Sequence, residues 1–233
     1  MTDFDFSRFE ALTFDCYGTL IDWETGILAA LRTVLAGHDS TASDNDLLER
    51  FAGQEASAEA GPYLRYREVL GRAVRGLCAD LGIRPSDDEV GRFSGSVGDW
   101  PAFPDSADAL ARLHARFRLG VITNCDDDLF AASNRRLGVA FDWIVTAQQV
   151  GSYKPDPANF AFAFKRIGLP RERILHVAQS LYHDHVTAKS LGLSTAWIDR
   201  RHDKPGTGAT PPAEVVPDIR ATSMAAFADL ALA

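Results

Sequence analysis

Ala11-Leu12-Thr13-Phe14-Asp15-Cys16-Tyr17-Gly18-Thr19-Leu20 is the stretch that decides the fold of this 233-residue chain. It begins as an apolar, β-favouring run, which predicts a buried strand. Asp15 follows at the carboxyl end of that strand, where open α/β sheets place their reactive groups. Gly18 permits a sharp turn and a close approach to a ligand, and Thr19 offers a hydroxyl to the same cleft. Taken alone, Asp15 is equally well explained as a solvated acid in a turn.

Composition and charge exclude several classes of function. The chain has 24 Lys and Arg residues against 32 Asp and Glu residues, and the net charge of −8 argues against nucleic acid as a partner. No apolar run is as long as a membrane span, and the acidic N-terminus lacks a signal segment, so we expect no membrane partner. The cysteines Cys16, Cys78 and Cys125 are far apart and odd in number, which favours reduced thiols in the cytoplasm.

The segment after the first strand has only helical periodicity. Apolar spacings of three to four residues occur in segments 44–54, 62–82 and 86–97. Ser43 and Ser86 are the expected N-caps. About eighty residues of helix are too long for a simple crossover between strands. We therefore predict a helical cap domain over residues 23–98, inserted into a core domain formed by residues 1–22 and 99–233.

The remainder of the chain alternates between strands and helices. Strands are expected at 119–124, 143–146, 173–178, 194–198 and 215–219, and helices at 106–117, 127–137, 158–167, 185–191 and 223–232. This alternation with short connections predicts an α/β fold, with a doubly wound, Rossmann-like parallel sheet and helices on both faces. Residues 200–214 are rich in glycine, proline and charge, which indicates a surface loop.

Reactive side chains follow four of the predicted strands. They are Asp15, Thr123, Asn124, Lys154 and the run from Gln179 to Asp184. Singly they are weak signals, since a lysine before proline is commonly a loop cation and an asparagine at a strand end a turn residue. In this order and spacing they resemble the haloacid dehalogenase superfamily over nearly the whole chain. The match depends on Asp15-Cys16-Tyr17-Gly18-Thr19-Leu20 together with Tyr153-Lys154-Pro155.

The resemblance implies a role for each of these residues. Asp15 would be the nucleophile, Thr123 and Asn124 would position the substrate, Lys154 would hold the nucleophilic carboxylate, and Asp184 would orient Lys154 or the attacking water. The physical chemistry agrees, because a carboxylate is a weak nucleophile that needs desolvation, alignment and a cation. A helical cap that excludes water suits such a reaction.

Two departures separate the chain from the phosphatases of this superfamily. Those enzymes have a second Asp two residues after the nucleophile and a Gly-Asp pair at the fourth strand end, where this chain has Tyr17 and Ala178-Gln179. The missing carboxylates remove most of the oxygen ligands that magnesium requires. We therefore predict no metal and no cofactor, and attack at carbon as in the 2-haloacid dehalogenases of the superfamily, which Tyr17 also matches.

Other stretches resemble the L-azetidine-2-carboxylate hydrolase branch, which opens a strained four-membered ring by attack at carbon. These stretches are 15–26, 100–105, 151–155, 180–185, 196–198 and 200–202. The fourth strand end also departs from the dehalogenases, since Gln179-Ser180-Leu181 replaces Ser-Ser-Asn. Phe160 stands where those enzymes have a loop tyrosine.

Several further side chains are candidates for substrate binding. At the strand ends these are Tyr17, Thr19, Gln179 and Ser180. Trp23 is expected to wall an apolar pocket or, equally, to pack at a domain junction. Arg65 in the cap is the candidate cation for a halide or carboxylate, although a surface position is the commoner role of such an arginine. Arg200 and Arg201 are expected in a solvated loop.

The sequence thus predicts a metal-independent hydrolase that attacks carbon of a small 2-substituted carboxylate through an ester on Asp15. A 2-haloacid dehalogenase is the first interpretation, and an L-azetidine-2-carboxylate hydrolase is the second. A magnesium-dependent phosphatase and a non-catalytic small-molecule-binding member remain as alternatives. The expected partner is the small carboxylate substrate, and the resemblance implies a homodimer.

Overall fold

The core is a six-stranded sheet in which all neighbouring strands run parallel. The computed structural model describes residues 4–233. The strands are β1 (Ala11–Phe14), β2 (Arg118–Thr123), β3 (Trp143–Thr146), β4 (Ile174–Ala178), β5 (Ser194–Ile198) and β6 (Ile219–Ala221). Their spatial order is β3-β2-β1-β4-β5-β6, a doubly wound order that reverses between β1 and β4. Ligands bind outside the carboxyl ends of the strands at such a reversal, and the predicted Rossmann-like core is confirmed.

Helices connect the strands and form a long insertion after β1. They are α1 (Trp23–Leu35), α2 (Asp44–Glu59), α3 (Tyr66–Asp80), α4 (Asp87–Gly95), α5 (Ser106–His114), α6 (Asp127–Leu137), α7 (Ala147–Val150), α8 (Ala158–Ile167), α9 (Val186–Ser190) and α10 (Met224–Leu232). Helices α1 to α4 lie between β1 and β2 in the chain, as predicted for the cap. The side chains of Ser43 and Ser86 accept backbone N–H groups of Asp46 and Glu89, which confirms both N-caps.

Cap and core are joined by one hydrophobic cluster. Buried Phe51 and Val74 of the cap belong to the same cluster as Phe14 and Leu20 of the core. The predicted division of the chain into a cap domain and a core domain, with boundaries at residues 22/23 and 98/99, therefore stays a prediction. Within residues 4–233, no helix combines the length and the apolar character that crossing a membrane requires.

Several boundaries differ from those predicted, since α2 ends five residues later than expected, at Glu59, and α5 ends three residues earlier, at His114. The helix expected at 62–82 begins only at Tyr66, after Arg65 as N-cap residue. The helix expected at 185–191 is preceded by a wide helical turn, Leu181–His185, which turns the chain back towards β1. The strand expected at 215–219 is displaced to β6, because Pro217 has no N–H to donate to a neighbouring strand.

Candidate active site

A small cavity of about 30 Å³ lies at the carboxyl ends of β1 and β4, between the core and the cap. The core contributes Asp15, Tyr17, Asn124, Lys154, Ser180, His183, Asp184 and Thr210, and the cap contributes Trp23, Glu55, Glu59 and Tyr66. This volume is comparable to that of one water molecule. A small organic acid therefore requires the lining side chains or the cap to shift as it enters.

Asp15 is buried in the turn that follows β1 and is held by two hydrogen bonds. Its Oδ1 accepts from Lys154 Nζ at 2.9 Å, and its Oδ2 accepts from Thr19 Oγ1 at 2.7 Å. The turn depends on Gly18, whose φ of 89° is strained for residues with a side chain. Burial raises the pKa of the Asp15 carboxyl, and the ammonium of Lys154 opposes that rise.

Lys154 is 1% exposed and uses all three of its N–H donors. They reach Asp15 Oδ1 at 2.9 Å, Asp184 Oδ1 at 2.7 Å and the carbonyl oxygen of Ile122 at 2.9 Å. Burial alone would lower the pKa of Lys154, but the two carboxylates outweigh it and raise the pKa above its usual value. The side chain is therefore a fixed cation between two acids.

Asp184 is fully buried and rests on a second layer of hydrogen bonds. Its Oδ1 lies 3.0 Å from His176 Nε2, and His176 Nδ1 lies 2.9 Å from Thr13 Oγ1. Burial opposes ionisation of Asp184, but Lys154 and His176 hold its pKa below the usual range. Sequence reasoning missed His176, although one histidine within the apolar run of β4 is a visible signal.

Asn124 fixes the loop that presents Lys154. Its Oδ1 accepts from the Lys154 backbone N–H at 2.7 Å, and its Nδ2 donates to the Lys154 carbonyl oxygen at 2.9 Å. Asn124 also lines the cavity. Thr123 is buried but is not among the lining residues, and its hydroxyl has no hydrogen-bond partner in the described part of the chain. The structure thus brings Asn124 to the site and leaves Thr123 behind it.

Tyr17, Trp23 and Ser180 line the cavity, where the sequence placed them. The Tyr17 hydroxyl lies 3.0 Å from Ser133 Oγ, and burial raises its pKa well above 10. This hydroxyl is therefore a neutral, hydrogen-bonded group. Trp23 is 6% exposed and opens α1 directly above the Asp15 turn. Its Nε1 would be only 2.9 Å from a Cβ placed on Gly18, so the turn and the indole require a glycine.

Three predicted substrate-binding residues are not among those lining this cavity. Thr19 donates to Asp15 and accepts the Gln179 backbone N–H at 2.8 Å, so it ties the β1 turn to the end of β4. Gln179 accepts a hydrogen bond from Thr210 at 3.3 Å. Arg65 is an exposed residue that precedes α3, and its backbone N–H donates to Glu68. The structure therefore does not bring Arg65 to the site.

The loop of residues 200–214 is not simply solvated, contrary to our expectation for its arginines. Arg200 donates to the carbonyl oxygen of Thr19 and pairs with Asp105 at 3.0 Å. Arg201 pairs with Glu24 at the start of the cap at 2.5 Å. Both side chains are mostly buried by these contacts, and the loop they anchor contributes Thr210 to the cavity.

Two acids from α2, Glu55 and Glu59, line the cavity and were missed from the sequence. Glu55 is 3% exposed and accepts from the Tyr66 hydroxyl at 2.6 Å. Glu59 lies 3.4 Å from Asn124 Nδ2 and 3.9 Å from His183 Nε2. The available signal is the apolar face of α2, formed by Leu47, Leu48, Phe51 and Ala52, which the two acids continue at helical spacing.

Acidic side chains outnumber basic ones in the lining of the cavity. Burial raises the pKa of Glu55 to about 7, and burial together with Glu55 raises that of Glu59 well above 4.5. Burial lowers the pKa of His183 to about 4, so this imidazole is neutral at pH 7. Among the described residues that line the cavity, Lys154 is the only lysine or arginine.

The donor set does not fit a magnesium ion. Magnesium binds about six oxygen ligands in a regular octahedron. Here the Lys154 ammonium already occupies the position between Asp15 and Asp184, and Tyr17 supplies no carboxylate. Across residues 4–233, no three His, Cys, Asp or Glu side chains are grouped so that they could hold a metal.

A family model described as haloacid dehalogenase-like hydrolase matches residues 9–192. The chain belongs to this family. Membership of this family makes the chain a hydrolase. The resemblance inferred from Asp15 and Lys154 is thereby confirmed at the level of the family.

The chain is also similar to individual proteins and solved structures. A (S)-2-haloacid dehalogenase from Pseudomonas fluorescens is 28% identical over 197 residues, which cover 83% of this chain and 86% of that protein. The L-2-haloacid dehalogenase from Xanthobacter autotrophicus superposes with a TM-score of 0.79 at 20% identity over 95% and 98% of the two chains. The HAD-hydrolase YfnB from Bacillus subtilis, bound to magnesium, superposes with a TM-score of 0.77 at 20% identity, over 97% of this chain and 100% of that chain. The structural likeness therefore shows the fold alone.

Proposed function

We propose that this chain is a metal-independent hydrolase that attacks C2 of a small 2-substituted carboxylate, in the first place as a 2-haloacid dehalogenase. The observation that best supports this proposal is the buried pair of Asp15 and Lys154 at 2.9 Å. The lysine aligns the carboxylate and supplies a cation in a pocket with little water. The (S)-2-haloacid dehalogenase relative supports the same substrate class.

In the first step, an Asp15 oxygen bonds to C2 while the carbon–halogen bond breaks, and the halide leaves with the bonding electrons. The product of this step is an ester between Asp15 and the 2-position of the acid. The negative charge of Asp15 passes to the halide, and Lys154 stays paired with Asp184. The small cavity excludes bulk water, which would otherwise stabilise the free carboxylate and weaken it as a nucleophile.

In the second step, water attacks the carbonyl carbon of the ester. One proton of the water goes to the leaving oxygen, which gives the 2-hydroxy acid, and the other is released to solvent. The water oxygen stays in the Asp15 carboxylate. Asp184 lines the cavity, and its buried Oδ2 has no hydrogen-bond partner among the described residues, so we assign this oxygen the role of accepting a hydrogen bond from the attacking water.

A second candidate is L-azetidine-2-carboxylate hydrolysis, in which the same attack at C2 breaks the bond to the protonated ring nitrogen. The nitrogen leaves with the bonding electrons as a neutral primary amine, which then takes up a proton from solvent. One observation supports it as the second candidate, since no arginine is among the described residues that line the cavity. Both substrates bring a carboxylate, but only a haloacid releases a halide, and the three N–H donors of Lys154 are already committed.

Substrate turnover in the presence of a chelator tests the proposal. Purified protein is incubated with 2-chloropropionate, fluoroacetate, L-azetidine-2-carboxylate and a chromogenic phosphate ester, and Asp15→Asn protein is the control. Halide release would support the first candidate, and 4-amino-2-hydroxybutyrate formation the second. Turnover of the phosphate ester alone, and only with added magnesium, would contradict both. A lack of turnover with every compound would favour a non-catalytic binding protein.

A further inference from the structure

We infer that Glu55 and Glu59 of the cap form a subsite for a protonated amine, so that the preferred substrate has an ammonium group beside the carbon attacked by Asp15. This inference rests on the proposed attack at carbon, and if it holds, the amine-bearing second candidate takes precedence over the haloacid as the preferred substrate.

The two glutamates lie on one face of α2, four residues apart, and both line the cavity together with Asp15. The Glu55 residue is 3% exposed and the Glu59 side chain 7%. Glu55 is fixed by the Tyr66 hydroxyl, and Glu59 by the Asn124 amide. Their carboxyl groups therefore face the reacting carboxylate across the same small space.

Neither glutamate has a cation as a partner within the described part of the site. Lys154 has committed its three N–H donors to Asp15, Asp184 and a backbone carbonyl. His183, the nearest imidazole to Glu59 at 3.9 Å, is neutral at pH 7 because burial lowers its pKa to about 4. Burial without a cation raises the pKa of both carboxyl groups, and a ligand that brings positive charge would stabilise their ionised forms.

An independent observation from the core indicates the same kind of ligand. Asp184 is fully buried and lines the cavity, yet its Oδ2 has no hydrogen-bond partner in residues 4–233. This oxygen can accept from a ligand in the first step and from the attacking water in the second, and the two glutamates have one donor residue each. An ammonium group contributes only N–H donors, whereas a halide or a second carboxylate would add further acceptors to the site.

A neighbouring cavity also favours a positively charged ligand. A second cavity of about 340 Å³ shares Glu59 and Lys154 with the first and is also lined by Tyr63, Tyr153 and Tyr182. The rings of Tyr63 and Tyr153 stack with centroids 5.4 Å apart. Aromatic faces attract cations, so an ammonium-bearing molecule is favoured along this route to Glu59.

A pair of ligands with the same ring size isolates the contribution of the amine. L-Azetidine-2-carboxylate and cyclobutanecarboxylate differ in the ring nitrogen, and Asp15→Asn protein, which cannot form the ester, permits measurement of binding alone by calorimetry. We expect the azetidine to bind at least about tenfold more tightly, because charge-assisted hydrogen bonds contribute this much. Equal binding of the two ligands, or no binding of either, would overturn the inference, and no further variant would be needed.

Substitution then assigns the preference to the two glutamates. Adding Glu55→Gln or Glu59→Gln to the Asp15→Asn background should reduce the affinity ratio of the two ligands by about tenfold, towards equal binding. Glu49→Gln is the matched control, since Glu49 is an exposed residue of the same helix. The ratio should be unchanged in this control. An affinity ratio unaffected by Glu55→Gln and Glu59→Gln would reject the subsite. The ratio compares two ligands in the same protein sample, so partial loss of folded protein does not alter it.

Failure of this inference is distinguishable from failure of the proposed function. If wild-type protein forms an Asp15 ester from 2-chloropropionate but shows no preference for the amine, only the subsite is wrong. If no compound forms an ester at Asp15, the attack at carbon itself is wrong.

Discussion

Lys154 separates two carboxylates that would otherwise repel each other in a buried site. Its Nζ lies 2.9 Å from Asp15 Oδ1 and 2.7 Å from Asp184 Oδ1, with all three side chains almost inaccessible to solvent. A buried acid without its cation is strongly destabilising. The same lysine therefore stabilises the buried site and, in the proposed mechanism, aligns Asp15.

Replacing Lys154 with methionine should lower both activity and stability. We expect a loss of about 10²- to 10³-fold in the rate of ester formation, because the aligning cation is gone. The free energy of unfolding, measured with urea at pH 7, should fall by about 3–5 kcal/mol. Lys165→Met, at an exposed position of α8, is the control and should change stability by less than about 0.5 kcal/mol. Similar unfolding curves for the two variants would contradict the account of the ion pair.

Glu55 should make stability depend on pH. Its folded-state pKa is about 7 and its ordinary value 4.5, so the folded protein binds this proton more tightly than the unfolded chain does. The stabilising contribution is complete below pH 4.5 and is lost as the pH rises to about 7. Glu55→Gln does not titrate, and it should gain on the order of 2–3 kcal/mol relative to wild type between pH 4.5 and 8. Unfolding at several pH values measures this, and a constant difference would contradict a buried, proton-binding Glu55.

The residues that the sequence located are those fixed by the core strands. Asp15 and Asp184 follow β1 and β4, and parallel strands bring such ends together whatever the loops do. Glu55 was missed because helical spacing places it on the apolar face of α2 but does not show that this face meets the cavity, which depends on how the cap packs onto the core. Arg65 was misplaced for the same reason, since the helix starts there and leaves its side chain exposed.

At the scale of elements, periodicity predicted the helices well and their ends less well. The helix at 158–167 matches α8 at both ends, where Gly168 adopts a left-handed φ of 70° that ends it. The chain after β4 was predicted less well, because Ser180 caps a wide turn that ends at His185. That turn places Asp184 beneath Lys154, and neither its width nor its direction follows from apolar spacing.

Helix α1 is packed so closely against Trp100 that it tolerates no side chain at Gly26. A Cβ placed on Gly26 would lie 2.2 Å from Trp100 Cγ, and Trp100 is 1% exposed. Gly26→Ala should therefore lower the free energy of unfolding by about 1–3 kcal/mol despite its better helix propensity. Gly53→Ala in α2, where nothing lies within 4 Å of the added atom, is the control and should stabilise by about 0.5–1 kcal/mol. A stabilised Gly26→Ala protein would show that this contact is absent in solution.

At the scale of the whole molecule, the fold defines where chemistry occurs but not which chemistry. A dehalogenase from Xanthobacter autotrophicus and a magnesium-bound hydrolase from Bacillus subtilis superpose on this chain about equally well. What distinguishes the present site is its inventory of charges, with one committed cation and four carboxyl groups around a small cavity. The reaction therefore depends on the side chains of the site and not on the fold.

The most direct test of attack by Asp15 is a single turnover with excess enzyme in heavy-oxygen water, followed by mass spectrometry of the peptide that contains Asp15. If Asp15 forms the ester, the water oxygen enters its carboxylate, and the peptide becomes about 2 Da heavier while the product hydroxyl stays unlabelled. Label in the product hydroxyl alone, with an unlabelled Asp15 peptide, would mean that water attacks the substrate directly and would contradict the proposed mechanism.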